Sequence, residues 1–197
     1  MSPRTVIYRR GSPASGLYVL QEGIAILHES SHGREDFVYE ILAPGSVFGE
    51  ECLVSSGVYS TNATAVTGVR IRMIPAEKLL RQFSEDAAGC QRVLDSMAQR
   101  RRRQDLRLRS MCSLGVAGRI LETVADLSRW FPGRDGLEAD LPLSQSMMAR
   151  MVCSTRETVS SQLNRLADVQ LVRLSPRHIG VPSVAALLEA KRQLEED

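Results

Sequence analysis

The sequence is short of several things. Lysine stands only at Lys78 and Lys191, histidine only at His28, His32 and His178, and aromatic residues make up 5% of 197 residues. No apolar run approaches the ~18 residues that a membrane span needs. The opening stretch MSPRTVIYRRGSP holds no apolar segment of secretory-signal length. A membrane partner is therefore not expected, and the reading is cytoplasmic. Cys52, Cys90, Cys112 and Cys153 are dispersed, with no CxxC pair and no histidine at ligand spacing. That pattern argues against zinc and iron–sulfur sites and for free thiols in a reducing compartment. The three histidines are scattered too and receive no ligand role. No cofactor or metal is expected. Catalysis lacks its usual parts: there is no nucleophile–base pair and no glycine-rich phosphate loop.

What is present is enough hydrophobic residue, 43%, to build a core. The length suits one large domain or two small ones. A net charge of +2 excludes a polycation. The positive charge is nearly all arginine, the better bidentate partner for phosphate and guanine.

Three regions follow one another. Residues 1–84 open with short apolar runs at Thr5–Tyr8, Leu17–Leu20, Ile24–Leu27, Phe37–Leu42, Ala63–Val66 and Val69–Ile74. Turn signals at Gly11-Ser12-Pro13, Glu22-Gly23, Ser31-His32-Gly33, Pro44-Gly45 and Ser55-Ser56-Gly57 separate them, the spacing of a β-sandwich, barrel or jelly roll. A short helix over Pro75–Phe83 closes this region. Residues 85–112 form one long helix, free of proline, with a heptad seam at Leu94, Met97, Arg101, Gln104, Leu108 and Met111. A long helix on a small β-domain has surface to bury, and pairing with its twin is the simplest solution; packing back on its own β-domain is the alternative. Arg100–Arg103 sweep nearly a full turn at ~100° per residue, so they cannot share one face. Arg101 should lean toward the seam, within reach of Asp105.

Residues 113–197 read as a second domain: an amphipathic helix over Val116–Phe131, a loop over Pro132–Gly136, short helices over Ser144–Val152 and Thr155–Val169, and a two-stranded wing over Leu171–Leu174 and His178–Val181. Ser183 should cap a last helix over Val184–Leu194. Two short helices joined by Cys153 and Ser154 suggest a helix-turn-helix. Its second helix starts STRETV. Ser154 and Glu157 have the spacing of a capping box, which is the local explanation for Glu157. Arg156 is harder to explain locally, because a cation on the first turn opposes the helix dipole. A guanine in a DNA major groove would reward it, and Glu157 could accept from a cytosine amino group.

At this point the chain resembles the cyclic-AMP receptor / fumarate–nitrate regulator family of bacterial transcription factors. GLYVLQEGIAIL at 16–27 and PGSVFGEE at 44–51 are similar to the family's β-roll. VAGRILETVADL at 116–127 is similar to the helix after its hinge, and CSTRETVSSQL at 153–163 to its recognition helix. The ordered set spans about residues 5–182. It implies an α+β fold: an N-terminal double-stranded β-helix (jelly roll), a long dimerisation helix and a C-terminal winged helix-turn-helix. It also implies that Arg156, Glu157 and Ser161 occupy base-reading positions, Ser161 departing from a basic residue found in some members. Ser144, Gln145, Thr155, Thr158 and Arg177 occupy phosphate-contacting positions. Gly49 and Glu50 match the start of the cyclic-nucleotide cassette. The cassette's Arg-Ser pair for the cyclic phosphate is replaced by Tyr59-Ser60, and Gln104 and Asp105 fall where nucleotide binders place small hydroxyls, with Arg101 close by. The chain also starts late against typical members, without their leading helix and strand.

The resulting expectation is a homodimeric, sequence-specific regulator that binds palindromic double-stranded DNA, contacts RNA polymerase, and acts as an activator without cyclic AMP. The alternative within the family is a ligand-gated regulator sensing a nucleotide or other metabolite in the β-roll. From other classes, the rivals are an enzyme carrying a regulatory β-roll and a nonspecific nucleoid protein.

Overall fold

The computed structural model describes residues 1–29, 37–54 and 57–196. The turn expected at Ser31-His32-Gly33, and Ser55 and Ser56 of another, lie outside them. The chain divides into two compact units, Met1–Leu106 and Arg107–Asp197.

The first unit is a β-roll. Strands β1 Val6–Tyr8, β6 Asn62–Ala65, β3 Ala25–Glu29 and β4 Phe37–Leu42 form one antiparallel sheet in that spatial order. β5 Val47–Phe48, β2 Gly16–Glu22 and β7 Arg70–Pro75 form the other. Leu20, Leu27, Leu42, Phe48, Tyr59 and Ala63 make the core together with Tyr8. The strand periodicity locates all six expected strands. β5 was not expected, because two residues carry no period. Gly23, at φ 82, turns β2 into β3, and a Cβ there would stand 2.1 Å from the Gly68 carbonyl oxygen, so only glycine fits.

Helix α1, Ala76–Glu85, takes Pro75 as its N-cap, one position before the helix proper. Its Leu79 packs with Leu17, Cys52 and Val93. Asp86 then accepts from the Gly89 amide at 2.8 Å and starts helix α2, Ala87–Ser113.

In the second unit, α3 Val116–Ser128 buries Ile120, Leu121, Val124 and Leu127. It ends before the expected Phe131, because Pro132 disfavours helical backbone at the residue before it. α4 Gln145–Met151 and α5 Arg156–Asp168 form the helix-turn-helix. The wing has three strands, in the order β8 Ala139–Leu141, β10 His178–Val181, β9 Arg173–Ser175. β8 is a further short strand without a legible period. Ser183 accepts from the Ala186 amide at 3.3 Å at the start of α6, Val184–Glu196, and Lys191 of α6 pairs with Glu122 of α3 at 3.0 Å.

Candidate nucleic-acid interface and effector-like site

α5 is anchored by Val159, Leu163 and Leu166, buried at alternating spacings of four and three. That phase turns Arg156, Glu157, Ser161 and Asn164 to solvent. Asn164 was passed over in the sequence. Its spacing of three from Ser161 and seven from Glu157 is the signal that would have found it.

The cap of α5 differs from the capping-box expectation. Thr155, not Ser154, is the N-cap: its Oγ1 accepts from the Thr158 amide at 3.2 Å and lies 2.9 Å from Thr158 Oγ1. Arg156 therefore opens the helix and Glu157 is the second residue, one place too early for the reciprocal box contact. Glu157 still suits the positive end of the dipole. Arg156 has no such local reward.

The expected phosphate residues sit at element ends. Ser144 is the N-cap of α4, accepting from the Met147 amide at 3.2 Å, which leaves its own hydroxyl proton to donate. Gln145 is the first residue of α4. Thr155 and Thr158 are exposed at the start of α5, and Arg177 is exposed in the turn between β9 and β10. Such contacts would position a recognition helix while base contacts specify the sequence.

In the β-roll, Gly49 at φ 84 caps a 3-10 turn, Glu50–Leu53, that presents Glu50. Arg100 of α2 reaches it: Nη1 donates to Glu50 Oε2, and Nε donates to Glu40 Oε2 at 2.5 Å. Gln104 Nε2 donates to the same Glu40 oxygen at 3.0 Å. Arg100 and Glu40 are 7% and 4% exposed, so this is a buried ionic cluster. Burial alone would lower the Arg100 pKa, but the Glu40 and Glu50 carboxylates outweigh it and raise it. Glu40 Oε1 is buried without a hydrogen-bond partner.

Of the residues expected at the effector pocket, Glu50 and Gln104 join this cluster, and Gly49 caps the turn that carries Glu50. Tyr59 does not: it is 2% exposed, stacks on Tyr8 with ring centroids 3.8 Å apart, and its hydroxyl donates to the Gly16 carbonyl at 3.1 Å. An aromatic ring satisfied inside the core has nothing to offer a ligand. Ser60 is engaged beside it, donating to Glu51 Oε1 at 2.6 Å. Arg101 and Asp105 point outward and pair with each other at 3.0 Å, their side chains 76% and 59% exposed. Arg100, one residue away and 100° around the helix, takes the inward place. Glu40 could have been found: it shares the inward register of β4 with buried Val38 and Leu42, where a carboxylate demands a partner.

Comparison with known proteins bears on both units. Residues 1–86 match the cyclic nucleotide-binding domain and residues 116–190 the Crp-like helix-turn-helix domain. The chain is 26% identical over 176 residues to a CRP-like cAMP-activated global transcriptional regulator of Mycobacterium tuberculosis, covering 88% of this chain and 78% of that protein. It is 28% identical over 183 residues to the cyclic AMP receptor protein of Thermus thermophilus, covering 93% and 82%. The crystal structure of a CRP-family transcriptional regulator, also from Thermus thermophilus, superposes with a TM-score of 0.85 at 25% identity, covering 100% of this chain and 98% of that one. With a β-roll and a winged helix-turn-helix matched in this order, the chain belongs to the cyclic-AMP receptor / fumarate–nitrate regulator family and is a transcriptional regulator with a DNA-binding helix-turn-helix.

Proposed function

We propose that the protein acts as a homodimer on palindromic double-stranded DNA, in the cytoplasm, and activates transcription without cyclic AMP. Arg156 donates bidentately to a guanine, and Glu157 accepts from a cytosine amino group. Ser161 faces a third base position with a short hydroxyl, so that position is read loosely. Ser144, Gln145, Thr155, Thr158 and Arg177 hold the phosphates. The two recognition helices enter major grooves about 34 Å apart. RNA polymerase meets the loop Phe131–Asp135 after α3.

One observation carries the independence from cyclic AMP: the Arg100–Glu40–Glu50 cluster. Two carboxylates against one guanidinium leave a formal charge of −2 + 1 = −1. A cyclic phosphate brought there adds a like charge and finds the arginine already committed. Isothermal titration of the purified protein with cyclic AMP is expected to show no binding at micromolar concentrations and no change in DNA affinity. Micromolar binding that sharpens DNA affinity overturns the proposal.

A second reading rests on the unpartnered Glu40 Oε1. A ligand carrying a hydrogen-bond donor rather than an anion would satisfy that oxygen and gate the regulator. A thermal-shift screen of amine- and hydroxyl-bearing metabolites tests it.

A further inference from the structure

The four arginines at 100–103 divide their directions, and the outward part of that division carries a consequence. The inward stripe of α2 in the first unit runs through Val93, Met97, Arg100 and Gln104. The outward stripe is Leu94, Ala98, Arg101 and Asp105, and the same spacing continues to Leu108. These steps of four, three, four and three make a heptad seam, shifted from the one expected, because Gln104 is spent on Glu40 and Met97 is partly buried. Leu94 and Leu108 are 53% and 62% exposed, so two large apolar side chains flank a charged middle.

If the homodimer pairs its long helices along this stripe, we propose that Arg101 of each copy pairs with Asp105 of the other. The inference rests on the homodimer reading above and names the residues that select the partner. A two-fold axis along the seam sets each residue beside its own copy, and a palindromic site requires a two-fold dimer. The charges are self-complementary: two guanidiniums and two carboxylates meet along the axis and cancel. Arg101 already extends one turn along the helix to Asp105 Oδ1 at 3.0 Å, with Nε as donor. Four residues rise ~6 Å, and a guanidinium offers five donors, enough to bridge its own Asp105 and its twin's. In the isolated helix the pair stabilises little, because it is exposed and the cation precedes the anion. Closing the seam excludes water and makes each charge require the other. Polar residues on such seams fix register and partner at a cost in stability.

Charge reversal tests this. Wild type is expected to be a dimer by sedimentation equilibrium, with unchanged far-UV circular dichroism in all variants. Arg101→Asp alone, or Asp105→Arg alone, puts four like charges on the seam and weakens the homodimer by about tenfold or more. The decisive arm mixes the two single variants under different affinity tags. The acidic and basic seams complement each other only across the interface, so heterodimers exceed both homodimers. Pairing confined within each helix cannot produce that preference. A wild-type dimer whose single reversals associate normally, or a mixture that assorts at 1:2:1, overturns the charge pair while the homodimer stands. A monomeric wild type overturns both.

Discussion

Replacing Arg100 by methionine tests the β-roll cluster at its most buried point. The Glu40 carboxylate, 4% exposed, would keep Gln104 as a neutral donor and lose the guanidinium that balances its charge. Breaking a buried pair from one side costs about 3–5 kcal/mol, since the remaining charge stays desolvated. Glu50 adds little to this, because its side chain is 30% exposed and recovers water. Arg100→Met should therefore destabilise the β-roll by about 3–5 kcal/mol. The double variant Arg100→Met/Glu40→Leu removes the stranded charge as well and should recover most of that loss. Arg100→Lys should fall between, since an ammonium cannot serve two carboxylates with the fork of a guanidinium. Urea unfolding followed by near-ultraviolet circular dichroism of the Tyr8–Tyr18–Tyr59 cluster reads the β-roll directly. A cost below about 1 kcal/mol for Arg100→Met, the level of an exposed pair, would refute the buried-cluster argument. So would a double variant less stable than the single one.

Three further outcomes are expected. Cys153, in the turn after α4, holds φ 50, a left-handed conformation that favours glycine, so Cys153→Gly should raise stability by about 1 kcal/mol in a thermal melt read by Trp130 fluorescence. Burial raises the pKa of Tyr8 and, with the neighbouring Tyr59 hydroxyl, pushes that of Tyr18 up to about 12. Both phenols stay protonated in the fold while an unfolded chain ionises near 10, so their stabilising contribution is full below about pH 10 and is lost as pH rises toward 12 and beyond, measurable by urea midpoints against pH. Arg177→Ala at the wing turn should weaken all DNA sequences alike and reduce the slope of log affinity against log salt by about 1, read by fluorescence anisotropy across a salt series.

Much of this architecture was legible because it repeats. The six expected strands of the β-roll, the helices and the order of motifs all carry periods or turn chemistry. The helix-turn-helix announced itself by the short Cys153-Ser154 junction and the Arg-Glu-Thr-Val stretch. What escaped the sequence was direction. Arg100 and Arg101 are identical letters 100° apart, and only packing against β4 decides which turns inward. The same ambiguity hid that Gln104 turns toward Glu40 while Asp105 stays exposed. Ser154 and Thr155 are both good caps, and the one chosen depends on where the backbone leaves the tight turn. Tyr59 shows a third kind of failure: alignment to a ligand-binding position says nothing of whether a larger ring turns into the core instead.

The reading of DNA by α5 is tested most directly by one binding experiment. Wild type and Arg156→Ala are titrated at fixed salt against a palindromic site and every symmetric single base-pair variant of it. Specific reading predicts a loss of about 1–3 kcal/mol concentrated at one G·C pair in each half-site, with the variant indifferent to the base there. An even loss over all sequences, or none, would contradict it.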